Sequence, residues 1–420
     1  MTADRRQPLL VVGHGHRSVP PMQIVEAASE LCDIVWLLDE SSPDGAFTSR
    51  LLRKLGTVVN LAGLSPEEAA SLLRSYSPDG VVAYRDEDIV PLSLIAAELG
   101  LEYRTPEVAR RLVDKLLQRD ALRKGGLPSP SCWAVPVDRN PAAIEELAAE
   151  VQYPAVLKPR IGNGGQYTMP VADAGDLLRS AALLPPEAGG DTGMFVEQYI
   201  PSLATAPDER FGSYVSVESL VAGGEISHLA VTGRFPLAEP FRETGFFIPA
   251  DLPQAQLAEV LAVTTAALHA LGVRTGDCHT ELKLTPDGPR VLEVNGRLGG
   301  GIPEMLLRAS GVSAFELSMR VALGEPVVVD GPVPCSRVAW RFLFQPPTSA
   351  HRVVAIDGLD RLAELPGVNE IYVNRSPGDP VDWREGTRHY VYSVFGASAD
   401  YDGLLEINRF LHEEVSIVYE

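Results

Sequence analysis

Glu293, Asn295 and Arg297 stand two residues apart in the stretch VLEVNGRLGGG, Val291 to Gly301, and three glycines follow at once. Side chains alternate faces of a strand with period two, so the carboxylate, the amide and the guanidinium share a face. The chain before them reads GDCHTELKLTPDGPR. TPDGP has the composition of a turn, and folding about Asp287 sets Glu281 opposite Glu293. One face of this hairpin then carries His279, Glu281, Lys283, Glu293, Asn295 and Arg297, and the other Leu282, Leu284, Leu292 and Val294. Opposed carboxylates repel unless a cation lies between them. Glu281, Glu293 and the Asn295 amide are hard oxygen donors, a set suited to Mg2+ bound together with nucleotide phosphates. Arg297 is placed to hold a carboxylate or phosphoryl group in a fork, and Gly299–Gly301 permits close backbone approach. A hairpin that merely faces water would explain the charges. It would not explain the opposed glutamates, the Glu-x-Asn-x-Arg run and the triple glycine together.

Such a site needs further parts, and they lie upstream. Lys158 ends the run PAVLKP and precedes the glycine-rich RIGNGGQ, where Gly164 and Gly165 could let a loop close over phosphates. Lys115, in VDKLLQRDAL, would ordinarily be a solvated helix charge. Glu197, in MFVEQYI, sits at a strand end, where it and the amides after it could rim an adenine pocket. An edge-strand charge explains Glu197 equally well.

The elements that must position these groups follow from pattern. Apolar runs alternate with helical segments over residues 8–104, which predicts a doubly wound parallel sheet in an α/β fold. One helix begins at a capping box, Ser65 with Glu68. The first strand lacks GxGxxG, so a dinucleotide site there has no support. From Thr105 the pattern predicts one or two helices closed by Gly-Gly, and then an extended CWAVPV and a helix PAAIEELAAEV. A lysine-bearing strand, antiparallel strands and the long helix QAQLAEVLAVTTAALHALG come next. After the hairpin come one helix, EMLLRASGVSAFELSMRVALG, a linker around Gly324–Pro334, and a mostly β tail with a closing helix.

At 420 residues the chain is long enough for two to four domains. A net charge of -20 repels a phosphate backbone, and the basic residues form no stripe, which argues against nucleic acid. No apolar run approaches the ~20 residues needed to cross a bilayer, and MTADRRQPLL lacks the features of a secretory signal. Cys32, Cys132, Cys278 and Cys335 are scattered, without a zinc or disulfide pattern. A cytoplasmic protein is expected.

Taken in order, DK…RDALRKGGLPSP, VLKPRIGNGG, VEQYI, HTELK and LEVNGRLGGG resemble the ATP-grasp superfamily over essentially the whole chain. Among its carboxylate–amine ligases, GDCHTELK and VNGRLGGG look most like the L-amino acid ligases that form dipeptides. The resemblance implies a pre-ATP-grasp α/β domain over 1–104, ATP-grasp α+β subdomains over 105–190 and 191–325, and a β-rich segment over 326–420. It implies that Lys115 and Lys158, with Gly164 and Gly165, bind ATP phosphates, and that Glu197, Gln198, Tyr199 and Ile200 contact adenine. Arg234, in VTGRFP, would face the γ-phosphate. Glu281, Glu293 and Asn295 would hold Mg2+ (or Mn2+), and Arg297 would stabilise an acyl phosphate. His279, Gly299 and Gly300 would line the substrate pocket, with FRETGFFIPA (Phe241–Ala250) nearby, and His279 is the candidate base. The pattern departs from the family at Tyr214, which stands where a ribose-binding glutamate is usual; Glu209 or Glu218 would substitute, or the ribose is held differently.

The resemblance therefore implies an ADP-forming ligase that activates a small carboxylate as an acyl phosphate and joins it to an amine. An amino-sugar, ribosylamine or carbamate-type partner ranks second. A nucleotide-binding protein without catalysis ranks third, since all four hairpin residues are present. A homodimer is expected by family analogy alone.

Overall fold

The computed structural model of the chain describes residues 7–15, 18–185, 187–203 and 210–420. Near the N-terminus, β1 (Leu9–Gly13), β2 (Asp33–Leu38), β3 (Thr57–Asn60) and β4 (Gly80–Ala83) form a parallel sheet in the order β3-β2-β1-β4. The strands are continuous apolar runs because helices cover both faces. Val11, Val35, Val59 and Val81 pack against Ile89, Leu92 and Ile95 of the helix Asp86–Leu99. On the other face Leu10, Val12, Trp36 and Val82 pack with Met305, Leu306, Phe315 and Met319. The parallel sheet is thereby pressed against the segment that follows the triple glycine. The capping box at Ser65 forms as the sequence predicts, with both reciprocal hydrogen bonds.

The segment after Thr105 makes two helices, Pro106–Val113 and Lys115–Lys124. Asp114 breaks them with extended backbone (φ -99°, ψ 109°), and its side chain caps the second by accepting from the amides of Leu116 and Leu117. Lys115 is thus fixed in the first turn of a helix. A small antiparallel sheet follows: β5 (Cys132–Ala134), β6 (Ala155–Pro159), β7 (Met169–Val171) and β8 (Met194–Gln198), in the order β5-β8-β6-β7.

The remaining strands build one large antiparallel sheet. They are β9 (Tyr214–Ala222), β10 (Glu225–Arg234), β11 (Gly245–Ile248), β12 (Gly276–Thr285), β13 (Gly288–Asn295), β14 (Val338–Leu343), then, past β15 (Val353–Asp357), β16 (Val368–Val373) and β17 (Tyr392–Ser398). The order is β13-β12-β9-β10-β11-β14-β17-β16, while β15 pairs with β18 (Ser416–Tyr419). Strands from the β tail therefore continue the sheet that carries the hairpin. One expectation needs correction. The helix after the hairpin is two, Ile302–Ser310 and Ala314–Ala322, because Gly311 takes φ 80° and ends the first. Among the described residues no helix is long and apolar enough to cross a membrane.

Candidate active site

The hairpin β12–β13 pairs Glu281 with Glu293 and His279 with Asn295, as expected, but by a different route. The turn is Pro286–Asp287, with Thr285 opposite Gly288, so near the turn Lys283 faces Arg290 and Leu282 faces Val291. Leu292 is then an extra residue, a β-bulge, and beyond it the register has moved by one. The bulge corrects the face assignment. Val291 joins Leu282, Leu284 and Val294 in the core, while Leu292 turns to the cleft.

That cleft, about 1300 Å3, lies over the large sheet between the glycine loop and the parallel sheet. It is lined by Lys115, Lys158, Gly164, Gly165, Glu197, Gln198, Tyr199, Ile200, Arg234, His279, Glu281, Glu293, Arg297, Gly299 and Gly300, all singled out in the sequence. Asn295 is buried opposite His279 and does not itself line the cleft.

Four cations at the hairpin end have a carboxylate beside them, while Lys283 donates to the Tyr199 hydroxyl at 3.0 Å. Lys115 Nζ lies 2.9 Å from Glu293 and donates to the Gly162 carbonyl at 2.6 Å. Lys158 pairs with Glu197, which also receives Arg119 at 2.9 Å. Arg234 meets Glu243 and Ser216 Oγ, each at 2.8 Å. Arg297 donates twice to one oxygen of Asp86, at 3.0 and 2.8 Å. Burial raises the Glu197 carboxyl, but Arg119 and Lys158 outweigh it and bring its pKa to about 2. For Glu281, burial is outweighed by His279, Arg234 and Arg297, again to about 2. Burial also lowers the Lys158 ammonium, with Glu197 only partly offsetting it.

His279 behaves unlike a free base. Its Nδ1 meets Glu218 and its Nε2 lies 3.3 Å from Glu281. Burial lowers its pKa, but the two carboxylates outweigh this and raise it to about 9. The ring is held between Glu218 and Glu281, an arrangement that can position Glu281 in the cleft. Glu218 has its other oxygen on the Gly299 amide at 2.9 Å. Glu218 is buried with both oxygens engaged beside His279 and does not itself line the cleft. Glu209 lies outside the described residues. Tyr214 itself lines the cleft, its hydroxyl buried without a partner.

The glycines divide the work. Gly164 (φ 63°) and Gly165 (φ 71°) shape a loop held by a C-terminal segment: the Thr387 amide donates to the Gly164 carbonyl at 2.7 Å, and Gln166 Nε2 to Glu385 at 2.8 Å. A Cβ at Gly299 would strike His279 Nδ1 at 2.6 Å, and one at Gly301 (φ 78°) would meet Arg341 at 2.9 Å. Sequence reasoning missed several contributors. Asp86, Arg119 and Arg341 belong to no motif that singled them out.

Glu281 and Glu293 face each other with side chains 29% and 19% exposed, toward the cleft. Among the described residues no group of three or more His, Cys, Asp or Glu is arranged to hold a metal unaided. Two hard carboxylates ringed by cations are instead the donor set of a Mg2+ that also takes phosphate oxygens, so the residues fit that ion.

No family model matches the chain. The crystal structure of L-amino acid ligase from Bacillus licheniformis superposes with a TM-score of 0.76 over 99% of this chain and 100% of that one, at 21% identity. This is the ATP-grasp fold. In sequence, the chain is 27% identical over 322 residues to protein y4rH of Sinorhizobium fredii, covering 75% of this chain and 63% of that protein. It is 28% identical over 340 residues to carnosine synthase 1 of Homo sapiens, covering 75% and 39%. The match thus spans less than two thirds of the length of either relative.

Proposed function

We propose that the chain is an ADP-forming carbon–nitrogen ligase that joins an amino acid carboxylate to an amine. The observation that carries this is the meeting of Glu281 and Glu293 with Lys115, Lys158, Arg234 and Arg297 in one cleft. The likeness to carnosine synthase 1 and to L-amino acid ligase supports the substrate class. Lys115 and Lys158 would take ATP phosphates under the Gly162–Gly165 loop. The amides of Gln198 and Tyr199 donate to Ser131 and Pro154, so an adenine edge would be read from Ile200 onward. Glu281 and Glu293 would hold Mg2+, which when bound neutralises phosphate charge and sharpens the γ-phosphorus as an electrophile.

The carboxylate oxygen attacks the γ-phosphorus, the bond to the β-phosphate oxygen breaks, and ADP leaves. The amine then attacks the acyl carbon, and phosphate departs with the bonding pair and carries off the proton that the amine loses. Arg297 and Arg234 supply fixed positive charge where negative charge develops, the main lever in phosphoryl transfer. Loop closure excludes water, which would otherwise hydrolyse the acyl phosphate.

The test is phosphate release from Mg-ATP with pooled amino acids, read against a control without substrate. Stimulation by particular pairs, with a product mass equal to the two minus water, is the expected outcome. An absence of ATP binding would sink the reading.

A further inference from the structure

Arg341 stands in the same cleft but, unlike Arg234 and Arg297, has no carboxylate at its guanidinium. Its Nε is buried without a partner, and its one hydrogen bond is a long 3.3 Å contact to the Tyr390 hydroxyl. No carboxylate among the described residues pairs with it. Those nearest in its electrostatic surroundings, Glu243 and Glu304, are held by Arg234 at 2.8 Å and Arg308 at 2.7 Å. Aromatic rings replace the missing anion: Phe395 at 4.6 Å, Tyr390 at 5.6 Å and Phe246 at 5.8 Å from the guanidinium carbon. Such faces favour a cation and hold it in place, but they leave its N–H groups unsatisfied. The backbone also makes room, since any side chain at Gly301 would press on Arg341.

Position adds a direction. Arg234 pairs with Phe246, Phe246 with Arg341, and Arg341 with Phe395, on four neighbouring strands. Paired residues share a face, so the two arginines flank the Phe246 ring, Arg234 at 4.9 Å and Arg341 at 5.8 Å. Two strand spacings separate their backbones by about 10 Å. From a γ-phosphorus at Arg234, the bonds through the acyl carbon and the attacking nitrogen to the carboxylate carbon of an α-amino acid span about 6 Å. A hydrogen-bonded fork of about 3 Å covers the remainder.

We propose that Arg341 binds the free carboxylate of the amine-donating substrate and so selects an amino acid over a simple amine, a reading that rests on the proposed ligase activity. The carboxylate supplies the anion that the fold withholds from this guanidinium, and the aromatic rings orient the fork toward it.

The test titrates the standard amino acids and their carboxamides into the full chain with Mg-ADP present, for wild type, Arg341→Met and Arg341→Lys. In wild type at least one amino acid binds about 10- to 100-fold more tightly than its own carboxamide. Arg341→Met abolishes that preference, while Arg341→Lys, which keeps the charge but loses the fork, retains part of it. Unchanged Mg-ADP affinity shows that the variants are folded, and the lysine variant decides the matter if the methionine variant is not. A preference that survives both substitutions, or its absence in wild type, overturns the assignment. Arg341-dependent binding with no ADP release on any amino acid pair would keep the carboxylate site and sink the ligase reading instead.

Discussion

At the hairpin end of the cleft Lys115, Lys158, Arg234 and Arg297 each lie against a carboxylate of the chain, whereas at the other end Arg341 lies among aromatic rings. Both arrangements hold charge away from water, and they ask different things of a ligand. Paired charges offset one another locally, but an incoming phosphate must compete with Glu293, Glu197, Glu243 or Asp86 for its cation. Phosphate binding there is an exchange of partners. Arg341 has no internal anion to give up, so a bound carboxylate is a net gain. The first arrangement suits a highly charged ligand that must also leave, and the second suits recognition of one small group.

This contrast can be broken from the hairpin end outward. The largest effect is expected for Arg297→Met, which removes charge where it develops in the reaction. ADP release per unit time should fall by about a thousandfold or more at saturating substrates. Next is Glu197→Gln, which leaves Arg119 and Lys158 buried beside a neutral amide. Urea unfolding at neutral pH should show a loss of about 3 kcal/mol, and a loss within a few tenths of wild type would mean that the triad is not stabilising. The same group sets an acid limit. Its folded pKa of about 2 lies below the usual carboxylate value, so its stabilisation is full above roughly pH 4.5 and disappears as the pH falls toward 2. Wild type should therefore lose stability more steeply than Glu197→Gln across that window.

Smaller changes sharpen the far end. Gly301→Ala adds a Cβ against Arg341 at a positive φ. A cost of about 1–2 kcal/mol in thermal unfolding is expected, with weaker amino acid binding at unchanged Mg-ADP affinity. The smallest effect belongs to Asp86→Asn, which loosens the tie to Arg297. Nucleotide affinity should rise by roughly threefold, the worth of a weakened partner exchange, and a fall would show that Asp86 helps nucleotide binding.

Most of the fold was legible because its signals are local. Apolar runs set the parallel sheet, Ser65 and Glu68 capped their helix, and Glu281 met Glu293. The partners of the site residues were not legible, because they are separated by long stretches of chain. Nothing near Arg297 announces Asp86, 211 residues away, and nothing near Lys158 announces that Glu197 also holds Arg119. Glu197 sits where the sequence allowed an adenine contact, yet its carboxylate is taken by two cations. The split of the helix at Gly311 was missed because the apolar pattern runs through it.

The extra residue at Leu292 has a consequence for how this hairpin can change over time. Side chains swap faces with every single-residue shift in register. The two-residue turn and the one-residue bulge together bring Glu293 to the cleft side. Were Leu292 drawn into regular pairing it would take the place opposite Glu281 and turn Glu293 toward the core, whereas deleting it would leave Glu293 opposite Glu281 without a bulge. A one-residue change in length between Leu282 and Glu293 therefore keeps both carboxylates on the cleft side only where the turn or the bulge absorbs it. The facing of Glu281 and Glu293 is therefore set by the turn and the bulge together, and by neither glutamate alone.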